Sequence, residues 1–360
     1  LRLSRYGAVL AELISTDQLR IVPETRKNEV LSFIDRGLAD FSISRSAERA
    51  RGWGIPVPDD PSQVIYVWFD ALVNYITGPG YAHDEPDYRR FWCESDERVH
   101  IIGKDITRFH AIYWPAMLLS AGLPLPTTVL VHGFINAEGR KMSKTTGNVI
   151  DPVVLVDEWG VDALRYYLLR KVPTTSDANF TQEEFVATYN ADLADQLGNL
   201  LQRVVKMVER YCESQIPTPG TLTGVDQALV DLAKTTETAL HTAFAEFALH
   251  TALEAVRGLV AATNKYVIEV APWTLAKAAQ QGDETAREQL ATTLYVLVET
   301  LRLISHYLAP FLPKSAGAIA AQLGQAAATV LQEWDCALMW GQLVPGASLP
   351  PAQPLYPKQA

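Results

Sequence analysis

Val99-His100-Ile101-Ile102 and Thr128-Val129-Leu130-Val131-His132 are two short β-rich runs, and Thr107 to Ala121 between them reads as a helix. Strand, helix, strand at this spacing predicts a right-handed crossover between parallel strands of one sheet. A further β-rich run, Val64 to Phe69, comes earlier. Asp70, Asp105 and His132 then fall at or just past the carboxyl ends of the three runs, the edge where open α/β sheets bind ligands. The expectation is the second half of a nucleotide-binding fold.

Working outward, residues 1 to about 60 read as helical and charged, ending at Trp53-Gly54-Ile55-Pro56-Val57-Pro58, where the prolines stop any helix. Leu1 opens mid-pattern, which suggests the C-terminal part of something longer, although processing leaves the same mark. From Pro152 onward the chain turns helical. Leu249, Leu253, Val256 and Val260 keep helical spacing, and Leu290, Leu294, Leu297, Leu301, Ile304 and Leu308 form a stripe suited to a bundle helix. Ile216-Pro217-Thr218-Pro219-Gly220 is a loop, and the Pro-rich stretch beyond Trp340 is an extended tail.

With 360 residues, 48% of them hydrophobic, the chain is large enough for two or three domains. No apolar run reaches the ~18 residues that a membrane-spanning helix needs. Cys93, Cys212 and Cys336 are scattered, so neither a disulfide framework nor a zinc site is expected, and a reducing cytoplasm is. The seven histidines make no metal-ligand cluster. A net charge of −10 argues against indiscriminate nucleic-acid binding, so an RNA partner needs a local basic face.

Several stretches can carry chemistry. The aromatics of Tyr66-Val67-Trp68-Phe69-Asp70-Ala71 and Tyr75 serve either a core or the wall of an apolar pocket. In Gly103-Lys104-Asp105 the glycine lets backbone approach a ligand, while the aspartate either accepts from ribose hydroxyls or caps the next helix. His110, between Phe109 and Trp114, is a core histidine or a donor among aromatic walls. His132 either bonds a phosphate or caps its strand. Lys141-Met142-Ser143-Lys144-Thr145, followed by Gly147-Asn148 and Asp151-Pro152, places two mobile ammonium groups on a turn-prone loop. That arrangement suits a clamp on a polyphosphate. Asn199, Arg203, Lys206 and Arg210 share a helical face that is either merely solvated or RNA-binding.

The lysine stretch resembles the mobile ATP loop of class I aminoacyl-tRNA synthetases, and the sequence around it resembles methionyl-tRNA synthetases over nearly the whole chain. The resemblance implies a methionine side-chain pocket of Trp68, Ala71, Leu72 and Tyr75, with Phe109, His110 and Trp114 beside it. Some members have proline at the position of Leu72. It places Gly103, Asp105 and His132 at ATP and gives Lys141 and Lys144 the catalytic phosphate contacts. Asn199, Arg203, Pro272 and Trp273 become the anticodon site, with hydrogen bonding from the first two and base stacking on Trp273. The same resemblance implies Arg45 as a further phosphate contact and Asp192 as a link between the lysine loop and the helical domain.

The implied fold is α/β plus all-α: the second half of a Rossmann-like catalytic domain, then a helical-bundle anticodon-binding domain. The expected boundaries are 1–60 for the end of a connective insert, 61–151 for the catalytic half, 152–188 for a linking region, 189–345 for the anticodon domain and 346–360 for the tail. The implied partners are methionine, ATP with Mg2+, tRNA-Met and the missing N-terminal half of the same enzyme, with no zinc in this portion and no membrane. The family's His-x-Gly-His-type motif does not occur in these residues. A non-catalytic tRNA-binding module and one subunit of a split synthetase are the alternative readings.

Overall fold

The computed structural model describes residues 1–83, 85–143, 147–331 and 337–358. The chain divides into two compact units, Leu1–Phe134 with Thr175–Asp177, and Ile135–Thr174 with Ala178–Ala360.

The first unit runs α1 (Gly7–Ser15), β1 (Arg20–Val22), α2 (Glu24–Asp35), β2 (Ser44–Ser46), β3 (Pro56–Val57), β4 (Asp60–Ile65), α3 (Val67–Thr77), β5 (Val99–Gly103), α4 (Trp114–Ala121) and β6 (Thr128–His132). The crossover expected between the two quoted runs is present. β5 and β6 pair in parallel, with Val99 opposite Thr128 and Gly103 opposite His132. The helix between them has two parts, a wide π-helical turn at Phe109–Tyr113 and then α4. Pro115 at the start of α4 cannot donate to the preceding turn, and a widened turn accommodates that loss.

Two expectations fail here. The sheet's third strand is β1, parallel to β6, inside a stretch read as helical throughout. Arg20–Val22 is three residues long, too short for alternation to show. The Val64–Phe69 run is not a strand of this sheet. β4 ends at Ile65 and pairs antiparallel with β2 and β3. Val67 already begins α3, so Asp70 lies in a helical first turn. Leu72 and Ile76, four apart, are both buried, so the period in this stretch is that of a helix.

Ile21, Ile102, Val129 and Val131 of the sheet share a core with Leu10 and Ile14 of α1 and with Val30 and Ile34 of α2. A second core gathers Leu72, Ile76, Trp92, Trp114 and Leu118.

The second unit opens with a small sheet: β7 (Ile135–Ala137) lies between β8 (Arg140–Lys141) and β9 (Ala178–Phe180). Helices α5 (Pro152–Trp159), α6 (Val161–Lys171) and α7 (Gln182–Thr188) follow in the chain, with β9 preceding α7. A π-helical segment, Tyr189–Gly198, then leads into α8 (Asn199–Cys212). The bundle continues as α9 (Gly224–Ala245), α10 (Leu249–Val270), α11 (Pro272–Gln280), α12 (Glu284–Leu308) and α13 (Pro313–Gln322). Both apolar stripes lie inside one core, on α10 and α12. The tail is docked: Tyr189 Oη donates to the Pro357 carbonyl at 3.0 Å, and Lys358 pairs with Asp195 at 3.0 Å.

Candidate functional site

At the carboxyl edge of β5 and β6 three of the expected nucleotide residues converge. A Cβ on Gly103 would meet Asp105 Oδ1 at 3.0 Å and the His132 ring at 3.8 Å. The glycine is therefore the gap between them, and any side chain there fills it. His132 is exposed, with Nδ1 2.8 Å from the Gly133 carbonyl. Beside it, Asp177 reaches Lys104 Nζ at 2.6 Å and accepts from the Phe134 amide at 2.9 Å. These bonds hold the Asp177 carboxyl below the usual range, Lys104 first and the amide second. Neither Lys104 nor Asp177 stood out in the sequence, because their pairing spans |i−j| = 73.

The aromatic residues of α3 and of the π-helical turn form one cluster. Trp68 stacks on Phe109 with ring centroids 4.1 Å apart. Tyr75 Oη lies 2.8 Å from His110 Nε2, and His110 Nδ1 lies 3.0 Å from the Ile106 carbonyl. A carbonyl only accepts, so His110 carries its proton on Nδ1 and Tyr75 donates to Nε2. Both ring nitrogens are thereby engaged, so His110 offers no free N–H in this arrangement. Burial lowers the His110 pKa, and the Ile106 bond partly opposes it.

Behind this pair, Trp114 Nε1 donates to His100 Nε2 at 3.1 Å, and the Tyr75 ring lies 4.2 Å from that of His100. Burial, then the nearby His110, brings the His100 pKa down to about 4. His100 stands in the quoted strand, yet nothing in its sequence position marks it as a contact of this cluster. Leu72 and Trp114 are buried, and Ala71 is half-buried on the same helix as Trp68.

Arg45 lines a separate cleft of about 830 Å³ with Arg49, Trp53, Tyr66 and Asp70. Its guanidinium lies 3.9 Å over the Tyr66 ring and donates to the Ser42 and Ser44 carbonyls at 2.9 and 2.8 Å.

In the second unit, Lys141 is exposed on β8, and Asn148 bonds back to the segment that ends at Ser143. Asn148 accepts from the Ser143 amide at 3.0 Å and donates to the Lys141 carbonyl at 3.3 Å. Lys144 lies outside the described residues. Asp151 caps α5 by accepting from Val153 N at 2.8 Å, with Pro152 at the first position. Asp192 accepts from Tyr166 Oη at 2.9 Å and approaches Arg257 at 3.8 Å, so it joins α6 to α10.

Asn199 is exposed at the start of α8, and Arg203 one turn on is half-buried, which pulls its pKa down. Arg203 Nη2 donates to Asn264 Oδ1 on α10 at 2.8 Å. The left-handed Ala271 (φ 47°) ends α10, after which Pro272 is buried and Trp273 is 47% exposed. Asn264, unmarked in the sequence, is the residue that brings α10 to Arg203.

A parallel sheet with a ligand edge, a lysine loop and a helical bundle is the plan of a class I tRNA synthetase. Residues 1–205 match the family described as tRNA synthetases class I (M), and residues 216–359 match the anticodon binding domain of methionyl tRNA ligase. The chain belongs to the methionyl-tRNA synthetase family, with a class I catalytic fold followed by a helical anticodon-binding domain. It is 44% identical over 362 residues to the methionine–tRNA ligase of Halalkalibacterium halodurans, covering 99% of this chain and 53% of that protein. It is 41% identical over 358 residues to that of Mycobacterium tuberculosis, covering 99% and 66%. The crystal structure of M. tuberculosis methionyl-tRNA synthetase bound by methionyl-adenylate superposes with a TM-score of 0.91 at 41% identity, covering 99% of this chain and 68% of that one. The chain thus spans about half to two-thirds of the length of these curated relatives. Among the described residues no group of three or more His, Cys, Asp or Glu gathers to hold a metal, and no helix is long and apolar enough to cross a membrane.

Proposed function

We propose that this chain supplies the second half of the catalytic site and the anticodon-reading domain of a methionine–tRNA ligase. The supporting observation is the paired geometry of the first unit. The Gly103–Asp105–His132 edge and the Trp68–Phe109–His110–Tyr75 cluster are linked by the segment that follows β5, which carries Asp105, Phe109 and His110. A nucleoside beside Gly103 and Asp105 and a thioether side chain against the aromatic cluster would then be neighbours.

In the reaction, the methionine carboxylate attacks the α-phosphorus of ATP, which enters as its magnesium complex, and pyrophosphate leaves. The ribose hydroxyl at the 3′ end of tRNA-Met then attacks the methionyl carbonyl and AMP leaves. No protein nucleophile is needed; positioning and charge neutralisation carry the first step. Lys141 and Lys144 close on the leaving phosphates. Arg45 is a candidate phosphate contact at its own cleft. The contacts that a His-x-Gly-His stretch makes are assigned to sequence outside these 360 residues. The reading places the protein with its tRNA in the cytoplasm, divided as 1–60, 61–151, 152–188, 189–345 and 346–360.

Methionine-dependent ATP–pyrophosphate exchange tests this. It is measured with the chain alone and with the additional length of a relative supplied in trans. Exchange that appears on addition and falls at least about tenfold in Lys141→Ala supports the reading. A folded mixture with no exchange, beside an active full-length control, overturns it and leaves an RNA-binding module.

A further inference from the structure

We propose that Asn264 is the positioning residue of the anticodon site, one carboxamide that holds both Asn199 and Arg203 in place. The inference rests on the anticodon-reading domain proposed above and on the base-reading role that the family resemblance implies for those two residues.

The geometry allows only one orientation of the Asn264 amide. Arg203 has donors and no acceptor, so the atom 2.8 Å from its Nη2 must be Oδ1. Nδ2 then faces acceptors alone: the Gln196 carbonyl at 3.3 Å, Gln196 Oε1 at 3.2 Å and the Val260 carbonyl at 3.1 Å. The Gln196 carbonyl is also where the Asn199 backbone N–H ends, an N–H it shares with Ala194 through the π-helical register. One side chain on α10 therefore bonds the guanidinium of Arg203 directly and bonds the carbonyl that carries Asn199.

Two further features fit a positioning role. Arg203 Nε is buried without a partner, so the Asn264 bond is the side-chain anchor that orients the fork. The wide turn is also local: the π-helical segment ends at Gly198, where a Cβ would meet the Leu193 carbonyl at 3.1 Å, and α8 begins at the next residue. Widened turns of this kind concentrate at functional sites. Asn264 also belongs to the helix whose left-handed end, at Ala271, sends the chain on to Trp273. A helix-borne hub of this kind sets the angle of a planar guanidinium toward a base edge, where a bidentate bond depends on that angle.

The test uses the whole 360-residue chain and two RNA hairpins, one with a CAU loop and one with the loop scrambled, followed by fluorescence anisotropy. Asn264→Ala is expected to weaken CAU binding by about tenfold while leaving the scrambled hairpin unchanged. Asn264→Asp keeps the acceptor for Arg203 and should restore part of the loss. In an Arg203→Ala background the effect of Asn264→Ala should shrink, which a general loss of fold would not produce. Thermal melts identify a variant that fails to fold, and Asn264→Asp against wild type then decides the outcome: equal binding to the two hairpins overturns the proposal. If Asn264→Ala binds and discriminates like wild type while Arg203→Ala does not, the positioning role is wrong and the anticodon reading stands. If Arg203→Ala, Asn199→Ala and Trp273→Ala all bind the CAU hairpin like wild type, the anticodon reading fails and the inference with it.

Discussion

Acidification should destabilise the first unit through His100, and the size of the effect follows from its surroundings. The imidazole is 6% exposed, and its Nε2 accepts from the Trp114 indole. Its pKa falls from 6.5 to about 4, through burial first and the neighbouring His110 second. The folded state thus refuses a proton that the unfolded chain accepts. That stabilisation is complete above the unfolded pKa and is lost as pH falls through the folded value. At pH 5 the unfolded imidazole is favoured by about thirtyfold in proton binding, so stability should drop by about 2 kcal/mol relative to pH 7.5. The loss approaches about 3 kcal/mol below pH 4. His110 is shifted in the same direction and adds to it. Urea unfolding at pH 7.5, 6 and 5 measures the total, and histidine Cε1 proton shifts locate the midpoint. His100→Gln keeps an acceptor for Trp114 and should flatten the pH dependence by about 2 kcal/mol. A His100 midpoint near 6.5, or the same pH slope in His100→Gln, would refute the reasoning.

The remaining predictions are briefer. A Cβ on Gly133 would collide with the Ser176 carbonyl and lie 2.6 Å from Asp177 N, so Gly133→Ala should lift the 175–177 segment and cost about 1–3 kcal/mol. Hydrogen exchange at Ser176 and Asp177 unchanged from wild type would sink this. Arg302 and Glu299 pair at 2.7 Å with side chains 1% and 0% exposed. Glu299 also accepts from the Gly341 and Gln342 amides, and Arg302 donates to the Ala337 and Met339 carbonyls. Arg302→Met strands the carboxylate and should cost about 3–5 kcal/mol, with much of that recovered in Arg302→Met/Glu299→Leu; equal urea midpoints for the single and double variants would count against it. A straight-chain hydrocarbon analogue should compete with methionine within about tenfold, since sulfur–aromatic contacts are worth ~0.3–1.5 kcal/mol; a gap of several hundredfold in exchange assays would show a missed polar contact.

What was legible in the sequence was what repeats locally. The crossover of β5 and β6 showed as two β-branched runs with a helix between them, and the bundle showed as long leucine stripes. β1 was not legible, because three residues carry no period and its partner lies over a hundred positions away. The helical state of the stretch after Val64 is not legible because aromatic and β-branched residues suit strands as well as buried helices, and the i, i+4 spacing of Leu72 and Ile76 decides it only once burial is known. The site followed the same rule. Gly103, Asp105 and His132 stood at strand ends and could be named. Asp177, Asn264 and Gln196 act through partners far along the chain, so neither composition nor spacing marks them.

The aromatic cluster changes how selection of a thioether must be understood. A histidine among aromatic walls suggests a donor aimed at sulfur. In the structure, however, the Nδ1 proton of His110 goes to Ile106, the Tyr75 hydroxyl goes to His110 and the Trp114 indole N–H goes to His100. Those three polar hydrogens are already bonded to protein. What remains to meet a ligand is mainly ring surface, the stacked Trp68 and Phe109 and the edge of Tyr75, with the Trp68 indole N–H as the one polar group on the stacked pair. On the proposed reading, then, the histidines keep the pocket neutral and hold the rings, and discrimination falls to shape and polarisability. Such a wall rejects charged side chains strongly, because no charged group stands in the cluster to pair them once desolvated. It separates sulfur from methylene only weakly. The lowered pKa values of His100 and His110 belong to the same design: a protonated imidazole would place a charge against the ring surface that the side chain is proposed to occupy. Neutrality of the pair is thus a condition of both the fold and the pocket, and acid should impair methionine binding over the range in which it weakens the unit.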